Sequence, residues 1–258
     1  MQALAQWFTH MSAAPHNRRM PGKRTAATHR APRRILVIDV GGTHIKFRVM
    51  PHGRIAKFTS GPAMGPKRMV HKLRKRLGKT AFDAVSIGYP GFVFHGRIAA
   101  EPHNLGSGWV KFDFTAAFGK PVLIVNDAAM QAVGSYHGGR MLFLGLGTGL
   151  GATLIIDGVV EPTEVGHMPY RHGRSFEDYV GERGRRWRGN RRWRKTVTDV
   201  IAQLMTAFEA DYVVLGGGNA GRLKALPPHV RLGSNRNAFI GGVRLWHRPR
   251  GRGVASRP

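Results

Sequence analysis

Twice in this chain an apolar strand runs into a glycine–threonine loop and straight out into another apolar strand. The first copy is Ile35-Leu36-Val37-Ile38-Asp39-Val40-Gly41-Gly42-Thr43-His44-Ile45-Lys46-Phe47-Arg48-Val49. The second runs from Met141-Leu142-Phe143-Leu144 through Gly145-Leu146-Gly147-Thr148-Gly149-Leu150-Gly151 to Ala152-Thr153-Leu154-Ile155-Ile156. Apolar runs of this length, bounded by glycine, read as strand, tight turn, strand. Gly41 and Gly42 can take positive φ and leave bare N–H groups for a phosphate oxygen. Asp39, at a strand end, is placed to hold a hydrated Mg²⁺. An ordinary hairpin turn is the alternative for either copy alone. The pair together predicts two related lobes facing each other across a cleft.

The second loop resembles a dinucleotide fingerprint, but that motif needs a helix after its glycines. Here β-branched and aliphatic residues follow, and they stop at the turn pair Asp157-Gly158. No Walker-type Gly-Lys-Ser/Thr is present either. A third cluster, Tyr212-Val213-Val214-Leu215-Gly216-Gly217-Gly218-Asn219, is a short strand ending in glycines. Gly216, Gly217 and Gly218 would let a base or ribose lie on the backbone; a plain strand-to-helix turn is the other reading. Asn126-Asp127 ends the apolar run Pro121–Val125 and opens a helical run, where a carboxylate can be an N-cap.

These segments together resemble the ROK group of sugar kinases, and within it the glucokinases that use polyphosphate or ATP. The resemblance covers roughly Arg34 to Trp246. It rests on Asp39–Lys46, Gly88-Tyr89-Pro90-Gly91, Val125-Asn126-Asp127, Leu146–Gly151, Glu164-Val165-Gly166-His167 and Leu215–Gly218. It implies an α/β, two-lobed ribonuclease-H-like (actin-like, sugar kinase) fold with a cleft between the lobes. The lobes are expected at 34–126 and 127–247, flanked by disordered basic tails at 1–33 and 248–258.

The resemblance also implies roles. Asp127 would be the base for a sugar hydroxyl, with Asn104, Asn126, Glu164 and His167 as sugar contacts and Glu177 as a further candidate. Asp39, Gly41, Gly42, Thr43, Lys46, Gly147, Thr148 and Gly149 would cradle phosphate and Mg²⁺. The reaction implied is transfer of a phosphoryl group from polyphosphate or ATP to the 6-hydroxyl of glucose. Kinases for mannose or an N-acyl amino sugar are the alternatives, as is a sugar-responsive repressor, which would need a helix-turn-helix that the first 34 residues do not suggest. Many ROK members carry a Cys-rich zinc site after the Glu-x-Gly-His segment. This chain has no cysteine, so no zinc is expected and His167 is read as a sugar contact. Family members are often dimers, which makes a homodimer a candidate state.

The formal net charge is +27, which points to a polyanionic partner or to a genome rich in Arg codons. The densest run is Arg183-Gly-Arg-Arg-Trp-Arg-Gly-Asn-Arg-Arg-Trp-Arg-Lys195. Arg185, Arg186, Arg188, Arg191, Arg192 and Arg194 could grip a phosphate chain with guanidinium forks. Trp187 and Trp193 could instead stack nucleobases, making nucleic acid the less favoured partner, or face a core. Thr196 or Thr198 is expected to begin the next helix. The acid-free N-terminus reads as a dispensable tail, a targeting peptide or a mis-set start. No apolar run is long enough for a membrane span, and a cytoplasmic protein is expected.

Overall fold

The computed structural model describes residues 32–234 and 236–247. The expected basic tails lie outside it, apart from Pro32 and Arg33. The elements run β1 (Ile35–Val40), β2 (His44–Met50), β3 (Ala56–Thr59), α1 (Pro66–Leu77), β4 (Ala84–Tyr89), the short hairpin β5 (Val93–Phe94) and β6 (Arg97–Ile98), α2 (Phe114–Phe118), β7 (Val122–Asn126) and α3 (Asp127–Ser135). They continue with β8 (Arg140–Leu146), β9 (Leu150–Ile156), β10 (Val159–Thr163), a second short hairpin of β11 (Pro169–Arg171) and β12 (Arg174–Ser175), α4 (Phe176–Val180), α5 (Glu182–Phe208), β13 (Tyr212–Gly216), β14 (Val230–Leu232) and α6 (Asn237–Arg244).

Two five-stranded sheets repeat one plan, β3-β2-β1-β4-β7 and β10-β9-β8-β13-β14. In each, an antiparallel meander of three strands is extended by two parallel strands. The patterning follows position. Strand β1 is buried along its whole length, as a central strand covered on both faces must be. Its neighbour β2 alternates, with Ile45, Phe47 and Val49 turned inward, the period of a strand with one face in the core. Helix α1 starts with Pro66 and ends at Gly78 with φ 53°, the usual asymmetry of helix ends. It lays Met69, Val70 and Leu73 into the first core.

Helices α3 and α6 pack between the sheets. The side chains of Ala129, Ala132 and Val133 on α3 meet Met141, Phe143 and Ile155 of the second sheet. Phe239 and Ala238 on α6 meet Ile35 and Val37 of the first. Burying a Phe or Ile of this kind stabilises by about 1.5–3 kcal/mol. The two helices touch backbone to backbone. A Cβ at Gly241 would lie 1.8 Å from the Met130 carbonyl oxygen, so nothing larger than glycine fits. Although α6 follows the second sheet in sequence, it is tied to the first. The Ser86 hydroxyl donates to the Gly242 carbonyl at 2.7 Å, and the Trp246 indole N–H donates to the Ser86 oxygen at 2.8 Å.

One sequence expectation fails here. Neither Thr196 nor Thr198 begins a helix; both lie inside α5, which runs from Glu182 to Phe208. The break comes earlier, at Gly189 (φ 71°, ψ 158°). Thr196 does not cap; its hydroxyl donates back to the Arg192 carbonyl at 3.1 Å, the bond such residues make inside helices.

Candidate active site

The register of the first hairpin pairs Asp39 with Lys46 across the strands. The Lys46 ammonium sits 3.5 Å from the Asp39 carboxylate. The turn between them is closed by the Gly41 N–H donating to the His44 carbonyl at 3.1 Å and by the Ser60 hydroxyl donating to the Gly41 carbonyl at 2.6 Å. On the parallel side, Asp39 pairs with Gly88 and Gly88 with Val125. Gly88 has no side chain for a steric reason. A Cβ there would lie 2.4 Å from the Met130 methyl and 3.4 Å from the Asp127 Cα. Its absence lets the first turn of α3 settle beside the end of β1.

That approach brings Asp127 close to Asp39. The N-cap of α3 is Asn126, whose side-chain oxygen accepts from the Ala128 and Ala129 N–H groups at 2.9 and 3.2 Å. Its amide donates to the Gly91 carbonyl at 3.2 Å. Asn126 therefore fills the capping role, and Asp127 is released from it. Asp127 occupies the first helical position and accepts from the Ala128 N–H at 2.8 Å. Burial, and then the charge of Asp39, push its carboxyl up from 3.8 to about 7; the Ala128 N–H pulls back and Glu164 adds to the rise. Burial also raises Asp39, against the pull of Lys46. Folded Asp127 thus holds its proton more tightly than the unfolded chain does. Its contribution to stability is full below 3.8 and is lost as pH rises toward about 7.

The second loop is braced from below by the α4–α5 junction. The Glu182 N–H donates to the Gly147 and Thr148 carbonyls, both at 3.1 Å. The Asn219 amide donates to the Gly147 carbonyl at 3.1 Å and to the Glu182 carboxylate at 3.0 Å. Arg185 and Arg186 also donate to Glu182, at 2.7–2.9 Å, and hold its carboxyl far below the usual range. Glu177 belongs to this frame as well. Its carboxylate accepts from the Leu150 N–H at 3.0 Å, and it fills the space where a Gly149 side chain would be. Removing it strands a part-buried amide, at a cost of about 1–3 kcal/mol. We expect Glu177→Ala to raise KM for the phosphoryl donor several-fold and leave KM for the sugar unchanged, as read from a two-substrate kinetic matrix. A rise confined to the sugar KM would restore Glu177 as a sugar contact.

Both glycine loops open onto one cavity of about 1130 Å³, lined by Gly41, Gly42, Thr43, His44 and Lys46 from one sheet and Gly147 and Thr148 from the other. Glu182, Arg183, Arg186, Trp187, Gly218, Asn219 and Arg222 complete it. Asp127 does not line this cavity; it adjoins it through Asp39 and Lys46. Of the third glycine cluster, only Gly218 reaches the cavity. Gly216 is packed under the Phe143 ring and Gly217 against the Leu146 backbone.

The arginine run divides differently from the sequence expectation. Arg186 lines the cavity, joined by Arg183 and Arg222, which were not among the candidates. Arg185 is held by Glu182 and Asn190. Arg188 bonds the Thr196 hydroxyl and lies over Tyr179. Arg194 donates to the Arg222 carbonyl at 2.7 Å, and Arg191 and Arg192 are exposed elsewhere on the helix. Trp193 is fully buried, while Trp187 is 60% exposed. The two indoles do not form a shared stacking surface, which removes the main support for a nucleic-acid interface.

Glu164 and His167 are both exposed, with the imidazole 3.7 Å from the carboxylate. Glu164 is near enough to act on Asp127. Asn104 is exposed and lies against Gly42, whose Cβ would be 3.3 Å from its own. Among the described residues no group of three or more His, Cys, Asp or Glu side chains is gathered around a metal position, and no helix is long and apolar enough to cross a membrane. Asp39, a hard oxygen ligand at the edge of the cavity, suits Mg²⁺, which is held by one or two carboxylates and otherwise by substrate phosphates and water.

Two copies of one sheet plan, each with a glycine hairpin turned to a common cleft, define the actin-like, two-lobed sugar kinase architecture. The chain matches the ROK family over residues 35–184, and it belongs to that family. It is 30% identical over 205 residues to the polyphosphate glucokinase of Mycobacterium leprae, covering 70% of this chain but 62% of that protein's length. It is similar in structure to an inorganic polyphosphate/ATP-glucomannokinase from Arthrobacter sp. strain KM, with a TM-score of 0.71, 21% identity, and 84% and 99% of the two chains covered. A ROK family glucokinase from Streptomyces griseus in complex with glucose and AMPPNP gives a TM-score of 0.66 at 18% identity, covering 82% and 98%.

Proposed function

We propose that this protein transfers a phosphoryl group from polyphosphate or ATP to the 6-hydroxyl of glucose or a close hexose, in the cytoplasm and with Mg²⁺. The observation that carries the reading is the shared cavity. Two glycine loops face it from opposite sheets, and a carboxyl raised to about 7 stands close by. Phosphoryl transfer needs positioning, neutralised charge and a base for the attacking hydroxyl, and little covalent chemistry.

In this reading the donor's terminal phosphates lie between Gly41–Thr43 and Gly147–Thr148, with Lys46, Arg183, Arg186 and Arg222 offsetting their charge. Asp39, with Asp127 beside it, would hold Mg²⁺, which supplies charge neutralisation at the phosphate oxygens when bound. The sugar lies on the side of Glu164, His167 and Asn104, whose polar groups suit vicinal hydroxyls. Asp127, between the two, takes the proton of the attacking hydroxyl. A base poised near 7 is ionised about half the time at neutral pH and still binds a proton well.

The cationic lining favours polyphosphate over ATP as the better donor, and relatives named for polyphosphate support that choice. The test is a coupled assay with glucose, mannose and N-acetylmannosamine, each offered ATP and polyphosphate in parallel. Phosphorylated hexose with at least one donor supports the reading. No product with any pair rejects it.

A further inference from the structure

A smaller hollow of about 420 Å³ adjoins the main cavity, lined by Arg174, Asp178, Arg183 and Trp187. Arg183 and Trp187 line both spaces, so the two adjoin at the first turn of α5. We propose that this hollow is a subsite for the distal phosphates of a condensed-phosphate chain whose reacting end lies between the two glycine loops. The proposal rests on the donor reading above and adds where a long donor continues.

The chemistry of the lining points to an anion. Arg174 comes from the β11–β12 hairpin and lies over the Trp187 ring, its guanidinium carbon 4.6 Å from the centroid. Among the described residues, neither the Arg174 nor the Arg183 side chain makes a hydrogen bond or an ion pair within the protein. Asp178 is the one acid in the hollow, and it is already committed. Its carboxylate accepts from the Ser175 N–H at 3.0 Å and the Ser175 hydroxyl at 3.1 Å, in the capping box of α4. Both arginines act on the Asp178 charge, yet the hollow still presents two guanidinium forks whose N–H groups have no hydrogen-bond partner among the described residues, which suits the paired oxygens of phosphate.

A nucleobase is the weaker occupant. Arg174 covers one face of the Trp187 indole, and the edge-on Tyr179 ring, 6.1 Å away, fixes its tilt. A tripolyphosphate or a nucleoside triphosphate is short enough to lie within the main cavity of about 1130 Å³. A longer chain engages the second space without leaving the first, so its second contact is intramolecular and adds avidity.

Isothermal titration of the full chain, without sugar and therefore without turnover, tests this. Tripolyphosphate and a long-chain polyphosphate are titrated into the wild type, into Arg174→Gln, and into Arg54→Gln. Arg54 is exposed on the β2–β3 connection and controls for the loss of one positive charge. Losing one charge-assisted contact should weaken the long chain about tenfold in Arg174→Gln. Tripolyphosphate should bind that variant as it binds the wild type, and Arg54→Gln should match the wild type with both chains. Equal weakening of both chains, equal weakening by the two substitutions, or no weakening overturns the subsite. Should the wild type bind neither chain, the donor reading falls with it. A wild type that binds both chains, paired with an indifferent Arg174→Gln, sinks the subsite alone.

Discussion

Asp127→Asn is expected to fold like the parent and to lose about 10²- to 10⁴-fold in kcat, the range a general base supplies. The fold is spared because the cap of α3 is Asn126. The one hydrogen bond Asp127 accepts, from the Ala128 N–H, can be accepted equally well by the asparagine oxygen. Removing a half-buried carboxyl whose charge is disfavoured should leave the urea midpoint near pH 8 unchanged or slightly raised, because the ionised form carries the penalty at that pH. KM for the sugar should move little, since Glu164, His167 and Asn104 are untouched. A variant that keeps near-parental kcat on every hexose it phosphorylates would remove Asp127 from the mechanism. A variant that unfolds would show that the carboxyl is structural.

Asp39→Asn should be nearly as damaging, for a different reason. This side chain stands at the end of β1, tied to Lys46 and next to the cavity. As a metal and phosphate anchor it would be worth several kcal/mol at the transition state, so kcat/KM for the donor should fall about 10²-fold or more. The residual activity carries a second signature. The Asp39 charge is one of the causes that raise the Asp127 carboxyl. Without it, and with Lys46 no longer neutralised, Asp127 should ionise at lower pH. The acidic limb of the residual activity should therefore shift down. A loss of activity with the limb unmoved would mean that the two carboxyls do not act on each other.

Much of the fold was legible because its signals are local. Each glycine hairpin shows as an apolar run broken by turn residues, and its recurrence gives away the repeated sheet plan. The strand order follows once the hairpins are placed, since β4, β7, β13 and β14 extend them in parallel. The site was legible to the extent that it lies on those hairpins. Asn126-Asp127 was readable as a strand end and helix start, but not which of the two would cap; that is settled by where β7 stops against Gly91. Gly88 was visible only as part of the Gly88–Gly91 segment; that its bareness serves the approach of α3 was not.

The missing parts of the site are tertiary. Glu182, Asn219 and Arg222 come from separate segments and carry no shared spacing, so nothing in the sequence announces that they meet under the second loop. The arginine run misled because its helix breaks phase at Gly189, and the faces before and after the break point differently. One warning was present. Trp187 and Trp193 are six residues apart, about 240° around a regular helix, and could not share a face. The structure buries one and exposes the other. Glu177, a candidate sugar contact from the family resemblance, also carries a hydrogen bond to the loop backbone that its place in the chain did not announce.

The pH dependence of kcat/KM for the sugar, with the donor well below its KM, tests most directly whether a carboxyl beside Asp39 drives the transfer. That ratio reports the titration of the free enzyme, and a base must be ionised to work. The prediction is an acidic limb of unit slope, with activity falling tenfold per unit of pH below an apparent pKa of about 7. A profile that stays flat from neutral pH down to the ordinary carboxylate range near 3.8, in an enzyme that remains folded, would contradict it.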